Sequence, residues 1–162
     1  MALKHSNSVT DLALIHVSQK ELCGLSGLKP PQVEDTLTAL GIPLEGAEGD
    51  DLSLEITPNR PDWLSVEGVA RSCYSWRTGK PKAYLASKSS VSWTVHPSIL
   101  PVRPCLGSAV VRGVPNTPQL LTSLIQLQEK LHDTLGRNRR KMAIGIHDLS
   151  AVQPPFAYEA VG

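Results

Sequence analysis

Aromatic residues are scarce in this 162-residue chain. They make up 4% of it, a single Phe beside three Trp and three Tyr, so small aliphatic side chains must fill the interior. Cysteine is scarce too: Cys23, Cys73 and Cys105 are odd in number and far apart, which argues against a disulfide framework or a zinc cluster and suits a reducing cytosol. No apolar run approaches the roughly 20 residues of a membrane span. The polar start, residues 1–11, lacks the cationic-then-apolar order of a signal peptide, so the expectation is a soluble, cytoplasmic protein with no membrane partner.

Motifs for self-sufficient chemistry are missing as well. Neither GxxxxGK followed by Ser or Thr nor GxGxxG occurs, which leaves no basis for a nucleotide-binding loop. His5, His16, His96, His132 and His147 show neither HxxxH nor HExxH spacing, so no metal site is expected. His147 and Asp148 are neighbours, but adjacent strand residues point to opposite faces and a turn is the simpler role. Asn59-Arg60-Pro61-Asp62 sets an Arg and an Asp two apart with no nucleophile beside them. The expectation there is a structural corner: Asn59 tolerating unusual backbone angles, Asp62 capping the next helix, and Arg60 pairing with Asp62 or Glu67.

What is present is an ordinary globular composition, 41% hydrophobic and 19% charged, in a length that fits one domain or two small ones. The net charge of +1 hides an asymmetry. Residues 1–79 hold 6 basic and 11 acidic side chains, a balance of −5; residues 80–162 hold 10 and 4, a balance of +6. Only the second half attracts a polyanion by its net field.

Periodicity places the elements. A strand-length apolar run spans residues 12–17; Ser18 and Glu21 then suit a capping box for a short helix limited by Gly24 and Gly27. Pro30-Pro31 opens a second helix that Gly41 stops. Leu52, Leu54 and Ile56 alternate with polar residues as in a strand, paired in a hairpin with residues 42–44 across an acidic turn, 45–51. A helix is expected over 63–77, with Trp63, Val66, Ala70 and Cys73 on one stripe. Further strands are expected at 91–95, 106–114, 142–146 and 156–161, and Thr117-Pro118 starts a long helix running to Gly136 that packs on their sheet.

The densest charge is Arg137-Asn138-Arg139-Arg140-Lys141, which follows Gly136 between that helix and the next strand. Contact with RNA phosphates through Arg137, Arg139, Arg140 and Lys141 is the functional reading. The alternative is that these cations are favoured by the carboxyl end of the helix, or are simply solvated.

Residues 56–71, ITPNRPDWLSVEGVAR, are similar to the NRPDLLSVEGLAR segment of phenylalanyl-tRNA synthetase beta subunits. In the same order follow LQEKLH at 127–132 inside LIQLQEKLH, the basic loop running into MAIGIHDL at 142–149, and PPF at 154–156; these resemble the archaeal and eukaryotic branch of that family. Trp63 stands where relatives carry Leu, and Asn138 interrupts a tract that is more continuously basic in relatives.

Composition sets off residues 1–11 as a polar extension and 80–90 as a linker. The resemblance implies an α+β fold: a small N-terminal helix-and-hairpin domain, residues 12–79, then the opening of a partial mixed sheet-plus-helix editing-type domain, 91–162. It also implies a partner alpha subunit in a heterotetramer, where ATP and Mg2+ serve the charging of tRNA(Phe) with phenylalanine. The complete editing domain would hydrolyse mischarged Tyr-tRNA(Phe). Its pocket and the beta subunit's magnesium-binding positions fall after Gly162, so the resemblance carries no catalytic residue and no cofactor site onto this chain. Part of a ligase subunit, a stand-alone RNA-binding module and a scaffold all remain open at this point.

Overall fold

The alternating apolar residues of the first half build a three-stranded antiparallel sheet. In the computed structural model, which describes residues 13–161, β1 (Ala13–Ser18), β2 (Leu44–Glu48) and β3 (Asp51–Ile56) lie in the order β1-β3-β2. The expected polar extension at 1–11 lies outside the described residues. Pairing sets Ile15 opposite Leu54 and Val17 opposite Leu52, so the inward residues of both strands meet on one buried face. The acidic stretch 45–51, expected to be a turn, is mostly strand: β2 runs through Glu48, and the turn is confined to Gly49 and Asp50, with Gly49 at φ 61°. β2 is one edge of this sheet, where exposed carboxylates suit a strand with one open side.

Helices cover the apolar face. Helix α1 (Gln19–Ser26) begins where the Ser18 hydroxyl accepts from the Glu21 N–H at 3.1 Å, and it ends at Gly27 with φ 73°. Gly24 lies inside α1 rather than ending it. A 3-10 turn, Pro30–Gln32, leads into α2 (Val33–Leu40), which stops at Gly41. The helix expected from residue 63 is divided. Pro61–Trp63 form their own 3-10 turn, and α3 (Val66–Thr78) starts after Ser65, whose hydroxyl accepts from the Gly68 N–H at 3.3 Å. Ser65, not Asp62, is the cap, because the Asp62 carboxylate is taken up by two arginines. Ile15, Leu22, Leu37, Leu54, Val69 and Cys73 form the centre of the core, and each is essentially inaccessible.

Helix α4 (Pro118–Asp133) is capped by Thr117, as its sequence predicts, but it does not pack on a second sheet. Its Leu127 and Leu131 pack against the first core, Ser123 Oγ donates to Glu67 at 2.7 Å, and Gln126 Nε2 donates to the His16 carbonyl at 3.2 Å. The chain therefore forms two interleaved compact units: the described residues through Ala83 with Thr117–Ile144, and Tyr84–Asn116 with residues 145–161.

In the second unit β4 (Trp93–Val95) pairs in parallel with β5 (Phe156–Tyr158), and the Trp93 and Phe156 ring centroids lie 5.0 Å apart with the planes tilted by 48°. The strands expected at 106–114 and 142–146 are absent among the described residues. Alternation supplies one apolar face, but a strand also needs a neighbour to complete its ladder, and neither segment has one there. No helix of the described residues is long and apolar enough to cross a membrane.

Candidate nucleic-acid interface

The basic loop is a folded structure, not a slack connection. After α4 the chain turns back on itself through a run of main-chain bonds. Gly136 N–H donates to Leu131 C=O at 2.8 Å, Arg139 N–H to His132 C=O at 3.1 Å, and Lys141 N–H to Gly136 C=O at 2.8 Å. Three consecutive residues, Arg137, Asn138 and Arg139, adopt left-handed backbone with φ of 48°, 54° and 63°. Such geometry costs L-residues about 1–2 kcal/mol each, least for Asn. Asn138, an interruption of charge in the sequence, is thus the residue best suited to the centre of this turn. Asn59, expected to be the one with unusual angles, is not among the left-handed residues. Gly136 is needed for closeness: a Cβ there would lie 2.9 Å from His132 Cα and 3.0 Å from the Met142 carbonyl oxygen.

Two α4 side chains hold the loop from beneath. His132 is 2% exposed; its Nε2 accepts from the Ile144 N–H at 2.7 Å, and its Nδ1 lies 3.6 Å from Glu129 Oε1 without a hydrogen bond. An accepting Nε2 places the proton of the neutral ring on Nδ1. Glu129 in turn accepts from Arg139 Nη2 at 2.6 Å on both carboxylate oxygens. The Arg139 guanidinium holds the Glu129 carboxyl below the usual carboxylate range, with a smaller contribution from His132. Of the four cations singled out in the sequence, Arg139 is therefore engaged with the helix, while Arg137, Arg140 and Lys141 present exposed side chains. Glu129 and His132 were not legible as loop supports; their one signal is the three-residue spacing that puts them on the same face of α4 next to the loop.

The corner at 59–62 is a separate construction. Arg60 N–H closes the turn onto Thr57 C=O at 3.0 Å, and the Arg60 guanidinium makes two 2.9 Å hydrogen bonds to Asp62. Arg71 adds a third bond to the same carboxylate at 3.0 Å. Arg60 also lies 3.4 Å over the Trp63 ring, whose Nε1 donates to Ser72 Oγ at 2.7 Å. The bonds from Arg60, helped by Arg71, depress the Asp62 pKa below the ordinary carboxylate value. Gly68 completes the corner, since a Cβ at that position would overlap the Asp62 carbonyl oxygen.

Comparison with known proteins gives these two constructions a context. The chain is 45% identical over 143 residues to the phenylalanine–tRNA ligase beta subunit of Archaeoglobus fulgidus, covering 87% of this chain and 26% of that protein. It is 42% identical over 153 residues to the Methanosarcina acetivorans beta subunit, covering 93% of this chain and 28% of that protein. A crystal structure of an N-terminal fragment of the Pyrococcus horikoshii phenylalanyl-tRNA synthetase beta subunit superposes with a TM-score of 0.82 at 34% identity, over 91% of this chain and 45% of that one. The chain belongs to the phenylalanine–tRNA ligase beta-subunit family. No family model matches it. The chain spans about a quarter of the length of these curated beta subunits and corresponds to their N-terminal portion. Two of the segments that carry the beta-subunit resemblance, residues 56–71 and 136–149, contain the Arg60–Asp62–Arg71 corner and the basic loop.

Proposed function

We propose that this chain serves as the N-terminal part of a phenylalanine–tRNA ligase beta subunit and contributes, with an alpha subunit, to charging tRNA(Phe) with phenylalanine. What carries the reading is the 45% identity over 143 residues to a beta subunit of that name. ATP and Mg2+ belong to the assembled cytoplasmic enzyme, whose catalytic site lies on the alpha subunit; this chain supplies no reacting group to it. Its share is assembly and RNA contact. The loop cations Arg137, Arg140 and Lys141 meet phosphates, while Arg139 keeps the loop attached to Glu129.

The second unit fits the frame of an editing-type domain beginning near residue 91. It leaves Leu100, Val102, Leu106, Val111 and Val114 exposed on a backbone with few strands, as the frame of a larger sheet would. A stand-alone RNA-binding module is the second reading, and the ordered basic loop is the observation in its favour.

A chimera separates the two readings. This chain replaces the matching N-terminal portion of the Archaeoglobus fulgidus beta subunit, and the product is coexpressed with its alpha subunit. Assembly with formation of phenylalanyl-tRNA is expected. A chimera that folds but neither binds the alpha subunit nor supports charging overturns the ligase role.

A further inference from the structure

Between Glu67 and Glu129 the chain has no acidic residue at all. In the first compact unit the cations of this stretch, Arg71, Arg77, Lys80 and Lys82, gather on the second half of α3 and the segment that follows it. Two of them, Arg71 and Lys82, line an open groove of about 570 Å³ together with Arg60, Asp62, Ser72 and Trp76, among others. The charged lining residues are three cations and one carboxylate, a balance of +2, and that carboxylate is already bound by Arg60 and Arg71.

The aromatic side chains here divide into two kinds. Tyr74 lies beneath cations, with Arg77 at 5.7 Å and Lys82 at 6.0 Å from its ring. Trp63 is buried under Arg60. Trp76 is different: it is 59% exposed, in a chain with few aromatic residues, and it stands on the groove wall beside Arg71 and Lys82. The helical stripe of α3 buries Val66, Val69, Ala70 and Cys73 and leaves Trp76 out, so packing does not account for it.

An open indole that shares a groove lining with guanidinium and ammonium groups matches the main requirements of an unpaired nucleotide: a stacking face and phosphate-neutralising charge. We propose that this groove binds a single-stranded RNA segment, with one base stacked on Trp76 and the backbone phosphates held by Arg71 and Lys82. The partner class rests on the tRNA-ligase reading above; the groove itself is separate from the loop at 137–141. An acidic polypeptide shares the charge requirement but has no use for the flat open face.

The test is fluorescence titration of the whole chain with a single-stranded 12-mer RNA, a duplex of the same length and a 12-residue polyglutamate, at low salt. Quenching of tryptophan emission by the single strand is expected, lost in Trp76→Phe. Trp76→Ala is expected to weaken single-strand binding by roughly five- to a hundredfold, the loss of one stacked base, and Lys82→Glu to weaken it further, both without lowering the thermal midpoint. Charge reversal at Arg137 and Arg140 is expected to leave the quenching in place, so failure of the loop and failure of the groove are distinguishable. Unchanged affinity in Trp76→Ala, or equal binding of the duplex or polyglutamate, overturns the groove as a single-strand site.

Discussion

The Nε2 atom of His132 accepts a 2.7 Å hydrogen bond from the backbone N–H of Ile144, and this bond ties the far end of the basic loop to α4. His132 is almost fully buried, so removing its acceptor leaves the Ile144 N–H without the partner it has in the folded chain. His132→Phe keeps most of the ring volume but not the acceptor. It is expected to lower the unfolding free energy by about 1–3 kcal/mol in urea titrations, and to speed amide hydrogen exchange at Ile144. Unaltered exchange there would mean that the loop is held by its main-chain turn alone.

Gly68 and Gly24 are both helical glycines, yet the same substitution is expected to act in opposite directions. A Cβ at Gly68 overlaps the Asp62 carbonyl oxygen, so Gly68→Ala is expected to destabilise by roughly 1–3 kcal/mol despite the better helix propensity of Ala. At Gly24 no atom lies within 4 Å of the new Cβ, and Gly24→Ala is expected to stabilise by about 0.5–1 kcal/mol. Paired denaturant midpoints check both signs at once.

Asp62 gives a pH signature to the corner. Its folded pKa lies below its unfolded one because Arg60 and Arg71 bind the carboxylate. The stabilisation is therefore fully present above the unfolded value, near pH 4, and is lost as the pH falls through the folded value. Asp62→Asn is expected to lower the thermal midpoint at pH 7 and to converge with the parent protein as the pH falls through the folded value. A difference that persists unchanged into acid would mean that the charge of Asp62 is not what braces the turn.

The three cysteines differ in reactivity. Burial pushes the Cys73 thiol up to about 11, and Cys73 is inaccessible, whereas Cys105 is exposed. Iodoacetamide at pH 8 is expected to alkylate Cys105 in the native protein and Cys73 only after denaturation, as read by peptide mass spectrometry.

Legibility in the sequence followed the range of the forces involved. Local signals were enough for β1, α1, α2, β3 and the start of α4, where alternation, Ser and Thr caps, and Gly stops act within a few residues. The strands expected at 106–114, from a proline-bounded strand-like run, and at 142–146, from alternation, failed for a nonlocal reason: both signals are local, while a strand needs a ladder partner, and neither segment has one among the described residues. Asp62 misled as a cap because the arginine bound to its carboxylate through α3, Arg71, is nine residues away, and Ser65 stood closer to the true helix start. Arg139 looked equivalent to its neighbours in sequence, and only the fold of the loop brings it onto Glu129.

The salt dependence of tRNA binding tests the proposed RNA contact of the loop after α4 most directly. Binding of tRNA to the parent protein and to the triple variant Arg137→Glu, Arg140→Glu, Lys141→Glu is measured by anisotropy from 50 to 200 mM salt. Three phosphate contacts predict that the logarithmic slope shrinks by about 2–3 in the variant, with weaker binding throughout. An identical slope and affinity in the two proteins would contradict the assignment of RNA contact to this loop.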